Sequence, residues 1–137
     1  MSVEPLLRVH LAAARPNGSS PPNRRRRMWS RRVDRRRRTV VVRVEGELDA
    51  SGQPEFRSTL ERAVREPCRA VVVDLRATRF LGIRCAATIL EVAKRASGQG
   101  VAVRVVTGAP AVERALEITG VRSRCGRHPS MRAALDG

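Results

Sequence analysis

The sequence predicts an α/β fold: one domain built on a central parallel or mixed β-sheet of about four strands flanked by helices, behind an arginine-rich segment without regular structure. Three observations carry this expectation. Valine-rich runs at 40–44, 70–73 and 101–106 have the length and residue type of strands. Apolar residues between and after these runs recur at helical spacing, and strands alternating with helices pack as a sheet covered by helices. Residues 1–38 hold twelve arginines against Glu4 and Asp34, a composition that sets them apart from the remaining chain.

Residues 15–38 contain Pro16-Asn17-Gly18-Ser19-Ser20-Pro21-Pro22-Asn23 and two arginine quartets: Arg24, Arg25, Arg26 and Arg27, then Arg35, Arg36, Arg37 and Arg38. Such a segment buries too little apolar surface to offset the entropy of ordering it. Residues 1–38 are therefore expected to be a disordered extension and residues 39–137 the domain. An alternative uses Leu6 to Leu11 as a first strand, with the arginine segment as an oversized loop.

From Thr39, Val40, Val42 and Val44 alternate with Val41, Arg43 and Glu45 in the period of a strand with one buried face. Phe56, Leu60 and Val64 then fall at helical spacing, with Arg57, Glu61 and Arg65 one step behind, which predicts a helix over 53–66. Ser51 is placed to cap it, Pro54 suits its first turn, and Pro67 stops it. The apolar run Ala70-Val71-Val72-Val73 suits a central strand covered on both faces, as do Val101, Val103, Val105 and Val106. Helices are expected over 83–97 and 110–119, the second opened by Pro110 and closed by Gly120. Gly98-Gln99-Gly100 reads as the turn between the first of these helices and the next strand. A short helix over Pro129 to Leu135 ends the pattern, whereas Arg122 to Arg127 offers almost nothing apolar.

With 42% hydrophobic and only 2% aromatic residues, the core must be aliphatic. The net charge of +15 is uneven, because residues 1–38 contribute +10 and residues 39–137 contribute +5. Cys68, Cys85 and Cys125 are odd in number and form no C-x-x-C pair, so neither a disulfide framework nor a metal site is expected. No phosphate loop, no H-E-x-x-H and no nucleophile–base frame is present, so neither a cofactor nor catalysis is expected. His10, near the tail, and His128, beside a proline, read as solvated turn histidines. Arg8 and His10 interrupt Leu6-Leu7 before any signal-peptide length develops, and no stretch has the roughly 20 apolar residues of a membrane span. A cytoplasmic location is expected.

Two segments bear most on function. Glu45-Gly46-Glu47-Leu48-Asp49-Ala50-Ser51 reads as a strand end and turn, and Phe80-Leu81-Gly82-Ile83-Arg84-Cys85 as a loop opening a helix. Together with the strand–helix order over roughly 39–120, these segments resemble the STAS domain of bacterial anti-sigma factor antagonists. In that family the loop runs Phe-Leu-Asp-Ser-Ser-Gly and carries a phosphorylated serine, and Arg84 aligns with that serine. The resemblance implies a partner-binding face at Asp49, Ser51, Gly82, Ile83, Arg84 and Thr88, with Arg84 a degenerate phosphosite. Asp49 is read equally well as a turn residue ahead of the helix. Arg84, predicted to face solvent on a stripe with Thr88, Glu91 and Arg95, can neither accept a phosphoryl group nor mimic one. It is read either as a tolerated surface residue or as a contact for an acidic partner.

The resemblance implies a non-enzymatic module that binds an anti-sigma factor of the serine-kinase type and so influences sigma-factor-dependent transcription, here without phosphorylation control. Two rivals stay open. In one, Arg24 to Arg27, Trp29 and Arg35 to Arg38 form an arm that binds nucleic acid or an anionic membrane, because clustered guanidiniums release counterions from phosphates. In the other, the domain is a STAS subunit of a membrane transport complex. The arm is also read as having no partner, with Met28 the functional start.

Overall fold

The chain opens its sheet with β1 (Val9–Ala12) and β2 (Met28–Asp34), which pair antiparallel; β2 pairs antiparallel in turn with β3 (Thr39–Leu48) across a tight turn at 35–38. The structure, a computed structural model, describes residues 9–12, 28–126 and 128–136, with side chains from Ser30 onward. After β3, a 3-10 turn at Ala50–Gly52 leads into α1 (Gln53–Arg65), then β4 (Ala70–Leu75) and β5 (Thr78–Leu81). The remainder comprises α2 (Ile83–Ser97), β6 (Ala102–Thr107), α3 (Pro110–Thr119), α4 (Val121–Cys125) and α5 (Met131–Asp136). The sheet is mixed, in the order β1-β2-β3-β4-β6, with β3, β4 and β6 parallel and β5 pairing the far end of β3.

The valine runs form the parallel centre because helices cover both of their faces, unequally. On one face Val40, Val42, Val44, Val71 and Val73 pack with Phe56 and Leu60 of α1 and Ile89 of α2. On the other, Val41, Val72 and Val106 pack against Ala134, Met131 and Leu135 of α5. All six residues of β4 are buried, as its continuous apolar run requires. Gly120 closes α3 in the left-handed conformation at φ 89°, where glycine avoids the Cβ penalty.

The structure departs from the sequence expectation before Thr39. Composition leaves Met28 to Asp34 without regular structure, yet this segment pairs residue for residue with β3, from Met28 opposite Glu45 to Asp34 opposite Thr39. The sheet therefore has more strands than the four expected. Val33 packs on the main core, and Arg31 forms an ion pair with Glu66 in the α1–β4 connection. A strand can carry this many arginines when it lies beside a buried strand and holds its charges at solvent or against a carboxylate. The alternative first strand, Leu6 to Leu11, overlaps β1 (Val9–Ala12) at residues 9–11, but the loop it assumed through the arginine segment gives way to β2 at Met28. Arg24 to Arg27 lie outside the described residues.

Two smaller corrections follow. Ser51 does not cap α1, whose N-cap is Gly52 without a side-chain hydrogen bond; Ser51 donates instead to Asp49. Arg122 to Cys125 fall within α4, which buries Val121 and Cys125 against the core; two apolar residues four apart suffice for a single helical turn.

Candidate functional site

The expected site residues lie where β3, β5 and α2 meet, at the C-terminal ends of the parallel strands. β4 ends at Leu75, and the chain bends into β5 around the carboxylate of Asp74, which is only 3% exposed. Arg76 donates to it from its backbone N at 3.1 Å, Nε at 2.9 Å and Nη2 at 3.0 Å, and Arg43 donates from Nη1 at 3.2 Å. Burial alone raises the Asp74 pKa; the Arg76 hydrogen bonds and the two guanidinium charges outweigh it and hold the carboxyl below its ordinary range. The buried Thr78 hydroxyl donates to Val44 O at 2.8 Å, which locks the start of β5 against β3.

From there β5 delivers Gly82 to the start of α2. Gly82 N donates to Leu48 O at 2.9 Å, and Gly82 O accepts from Cys85 N and Ala86 N at 3.0 Å. As the N-cap, Gly82 has no side chain to offer the helix, and the first turn of α2 contains no acidic residue. Asp49 follows the end of β3 and caps the 3-10 turn by accepting from Ser51 N at 3.1 Å and Ser51 Oγ at 2.7 Å. The Cys85 thiol, fully buried, donates to Asp49 O at 3.4 Å and ties the two segments together. Asp49, Ser51, Gly82, Ile83 and Arg84 are thus brought to one end of the domain.

Thr88 is not part of that surface. It is fully buried, accepts from Gln53 Nε2 at 2.8 Å and donates to Arg84 O at 3.0 Å, so it belongs to the α1–α2 contact. Glu91 and Arg95, on the same stripe, pair with Arg57 and Glu61 of α1. The stripe therefore follows the seam between two helices, with Thr88 inside it and the exposed Glu91 and Arg95 bridging its rim. Arg84, at its head, is exposed as expected.

Two of the three exposed large apolar side chains among the described residues lie together on this face, the third being Ile118 on α3. Phe80 is 46% exposed and Ile83 51% exposed, one on β5 and one opening α2. Arg79 and Arg84, both exposed, flank them in sequence. Periodicity concealed Phe80, because β5 is too short for alternation to be read. Among the described residues no group of three His, Cys, Asp or Glu side chains could hold a metal ion. The arrangement offers apolar contact and positive charge around a helix N-terminus, and the hydroxyls of Ser51 and Thr88 are engaged with Asp49, Gln53 and Arg84. Arg35 to Arg38 lie in the β2–β3 turn at the opposite end of the sheet, and the Trp29 backbone pairs with Val44.

A family model described as Mlab, STAS domain matches residues 31–124. No curated protein matches the chain in sequence. Among solved structures, an anti-sigma factor antagonist from Mycobacterium paratuberculosis is 26% identical with a TM-score of 0.61, over 72% of this chain and 84% of that one. The anti-sigma factor antagonist SpoIIAA, a Bacillus cell fate determinant, is 18% identical in its unphosphorylated form with a TM-score of 0.63, over 73% of this chain and 87% of that one. The murine Slc26a9 anion transporter shares the fold at 15% identity and a TM-score of 0.61, over 72% of this chain and 17% of the transporter. No helix among the described residues is long and apolar enough to cross a membrane.

Proposed function

Because the chain belongs to the STAS domain family, we propose that it is a non-enzymatic protein-binding regulator of the anti-sigma factor antagonist type, docking a serine-kinase-type anti-sigma factor through the end of the domain at Phe80, Ile83 and Arg84. The observation that supports this reading most is the exposure of Ile83 and Phe80 around the start of α2. Unlike the isolated Ile118, these two large apolar side chains lie three residues apart at the start of α2 and offer a partner a shared surface to cover. The likeness to the mycobacterial antagonist, and the fold shared with SpoIIAA, point to the same class of partner. Sigma-factor-dependent transcription is the process such docking would influence.

Phosphorylation does not control this docking. The position that aligns with the family's phosphorylated serine holds Arg84, and the residue before it is Ile83. A phosphate at a helix N-terminus is favoured by free N–H groups and the macrodipole; a guanidinium there has the opposite sign and serves contact, not switching.

Calorimetric titration of the purified chain with serine-kinase-type anti-sigma factors tests the reading. Binding is expected, with Ile83→Asp weakening it at least tenfold, about 1.4 kcal/mol, while leaving the thermal midpoint unchanged. Binding that is indifferent to both Ile83→Asp and Phe80→Ser would place the docking surface elsewhere. Co-purification with membrane transport components, and no anti-sigma binding, would favour the transport-complex reading to which the Slc26a9 fold likeness points.

A further inference from the structure

The opposite end of the sheet carries a feature that partner docking leaves unused. β3, β4 and β6 all start at this level, with Thr39 beside Ala70 and Ala70 beside Ala102. The turn that enters β3 is Arg35-Arg36-Arg37-Arg38. Its tightness is recorded in Arg38, a non-glycine residue at φ 52°, and in the Arg38 N to Arg35 O hydrogen bond of 3.3 Å. Arg37 is neutralised by Asp34 at 3.1 Å and Asp136 at 3.2 Å. Arg35, Arg36 and Arg38 are exposed, and among the described residues no carboxylate pairs with them.

Two more guanidiniums stand behind the turn. Arg69 donates to Arg37 O at 2.9 Å and Leu135 O at 3.2 Å, and Arg104 donates to Ala134 O at 2.8 Å. Both are held by carbonyls, which orient a guanidinium without cancelling its charge. Burial and the nearby charge of Arg69 push the Arg104 pKa down, as like charges at close quarters do. Glu66, in the adjoining α1–β4 connection, is engaged with Arg31. The fold thus concentrates positive charge at one end and commits its local carboxylates to Arg31 and Arg37.

We propose that this end of the domain binds the phosphate backbone of duplex nucleic acid. Guanidiniums match phosphate oxygens with paired donors, and 27 of the 28 basic residues are arginine, Lys94 being the exception. A membrane surface offers phosphates too, but anchoring there draws on apolar side chains that enter the acyl boundary. The large exposed apolar residues among those described are Phe80, Ile83 and Ile118, none of them on the β2–β3 turn, the α1–β4 connection or α5. The contacts assigned to these guanidiniums are with phosphate oxygens, which position a duplex and carry no sequence information.

The test measures binding of the full chain to a 20-base-pair fluorescent duplex by anisotropy across a series of salt concentrations. Wild type is expected to bind, with affinity falling steeply as salt rises. The variant R35Q/R36Q/R38N should lose affinity about tenfold or more and flatten the log–log salt slope by about 2 to 3, at roughly 0.9 for each phosphate no longer neutralised. An unchanged urea midpoint shows that the variant is folded. Three results overturn the proposal: no duplex binding by wild type at low salt; equal affinity and slope in the triple variant, with loss instead on replacing Arg24 to Arg27 by Gln; or turn-dependent binding to phosphatidylglycerol vesicles without duplex binding.

Discussion

Arg84 and Gly82 show how little separates this loop from a phosphorylatable one. Gly82 has φ −70° and ψ 153°, which any residue adopts, and a Cβ there would meet Leu48 O at 3.5 Å and Asp49 Cα at 3.7 Å, ordinary contacts. Nothing steric excludes the family's aspartate. The variant Gly82→Asp/Ile83→Ser/Arg84→Ser is expected to fold at least as stably as wild type, because Asp is a good N-cap and the arginine's unfavourable interaction with the helix dipole, worth about 0.3–1 kcal/mol, disappears. It should also become a substrate for a serine-kinase-type anti-sigma factor, as read by intact mass. A lower melting temperature would show that the loop has diverged beyond its side chains. At Asp74 the prediction concerns pH. Its folded pKa is held below the ordinary value, so the stability it confers is present at neutral pH and is lost as pH falls through that depressed value. Asp74→Asn should cost about 1.5–3 kcal/mol at pH 7 in urea unfolding, and the gap to wild type should narrow below about pH 4. A gap independent of pH would deny the carboxylate its charged role.

Among the elements, β2 decides where the folding unit begins. Its seven residues pair with β3, and Val33 seals one margin of the core. A chain beginning at Arg37 leaves that edge of β3 unpaired and is expected to melt at least about 8 °C below a chain beginning at Met28, the shift for a loss of about 2 kcal/mol in a domain of this size. Equal melting temperatures would return the boundary to residue 38. Sequence patterning identified α1, α2, α3 and the strands of the parallel centre, because each carries an apolar period longer than its ambiguity. β2 escaped it because its partner supplies the burial: Ser30, Arg32 and Asp34 alternate with Arg31 and Val33 in a pattern that reads as polar until β3 is laid beside it. The same limit explains Thr88. Helical spacing placed it with Arg84, Glu91 and Arg95, but spacing finds a stripe and does not say whether water or α1 lies against it.

Across the whole molecule, the two ends of the sheet have separate chemistry. The proposed docking face lies at the C-terminal ends of β3 and β5 and the arginine turn at the start of β3, separated by the ten residues of that strand, about 30 Å. At physiological salt the screening length is about 8 Å, so charge changes at one end are not felt at the other. R35Q/R36Q/R38N is therefore expected to bind an anti-sigma partner within about twofold of wild type, measured by calorimetry, while losing duplex affinity. A parallel loss of both would make the two surfaces one. Of the proposed docking surface, Gly82, Ile83 and Arg84 were legible in the loop segment, whereas Phe80 and the engagement of Ser51 by Asp49 needed three dimensions.

A domain that docks an anti-sigma factor through the start of α2, with Arg84 where the family has its serine, should hold that partner whether or not ATP is present. The decisive experiment is the affinity of the wild-type chain for a serine-kinase-type anti-sigma factor before and after prolonged incubation of the complex with ATP, with the intact mass of the chain read at both points. Binding of the same strength after incubation as before is expected, with no gain of a phosphoryl group within residues 76–90 and with loss of binding in Ile83→Asp. Stoichiometric phosphorylation in that segment with release of the partner would contradict both the docking mode and the loss of the switch.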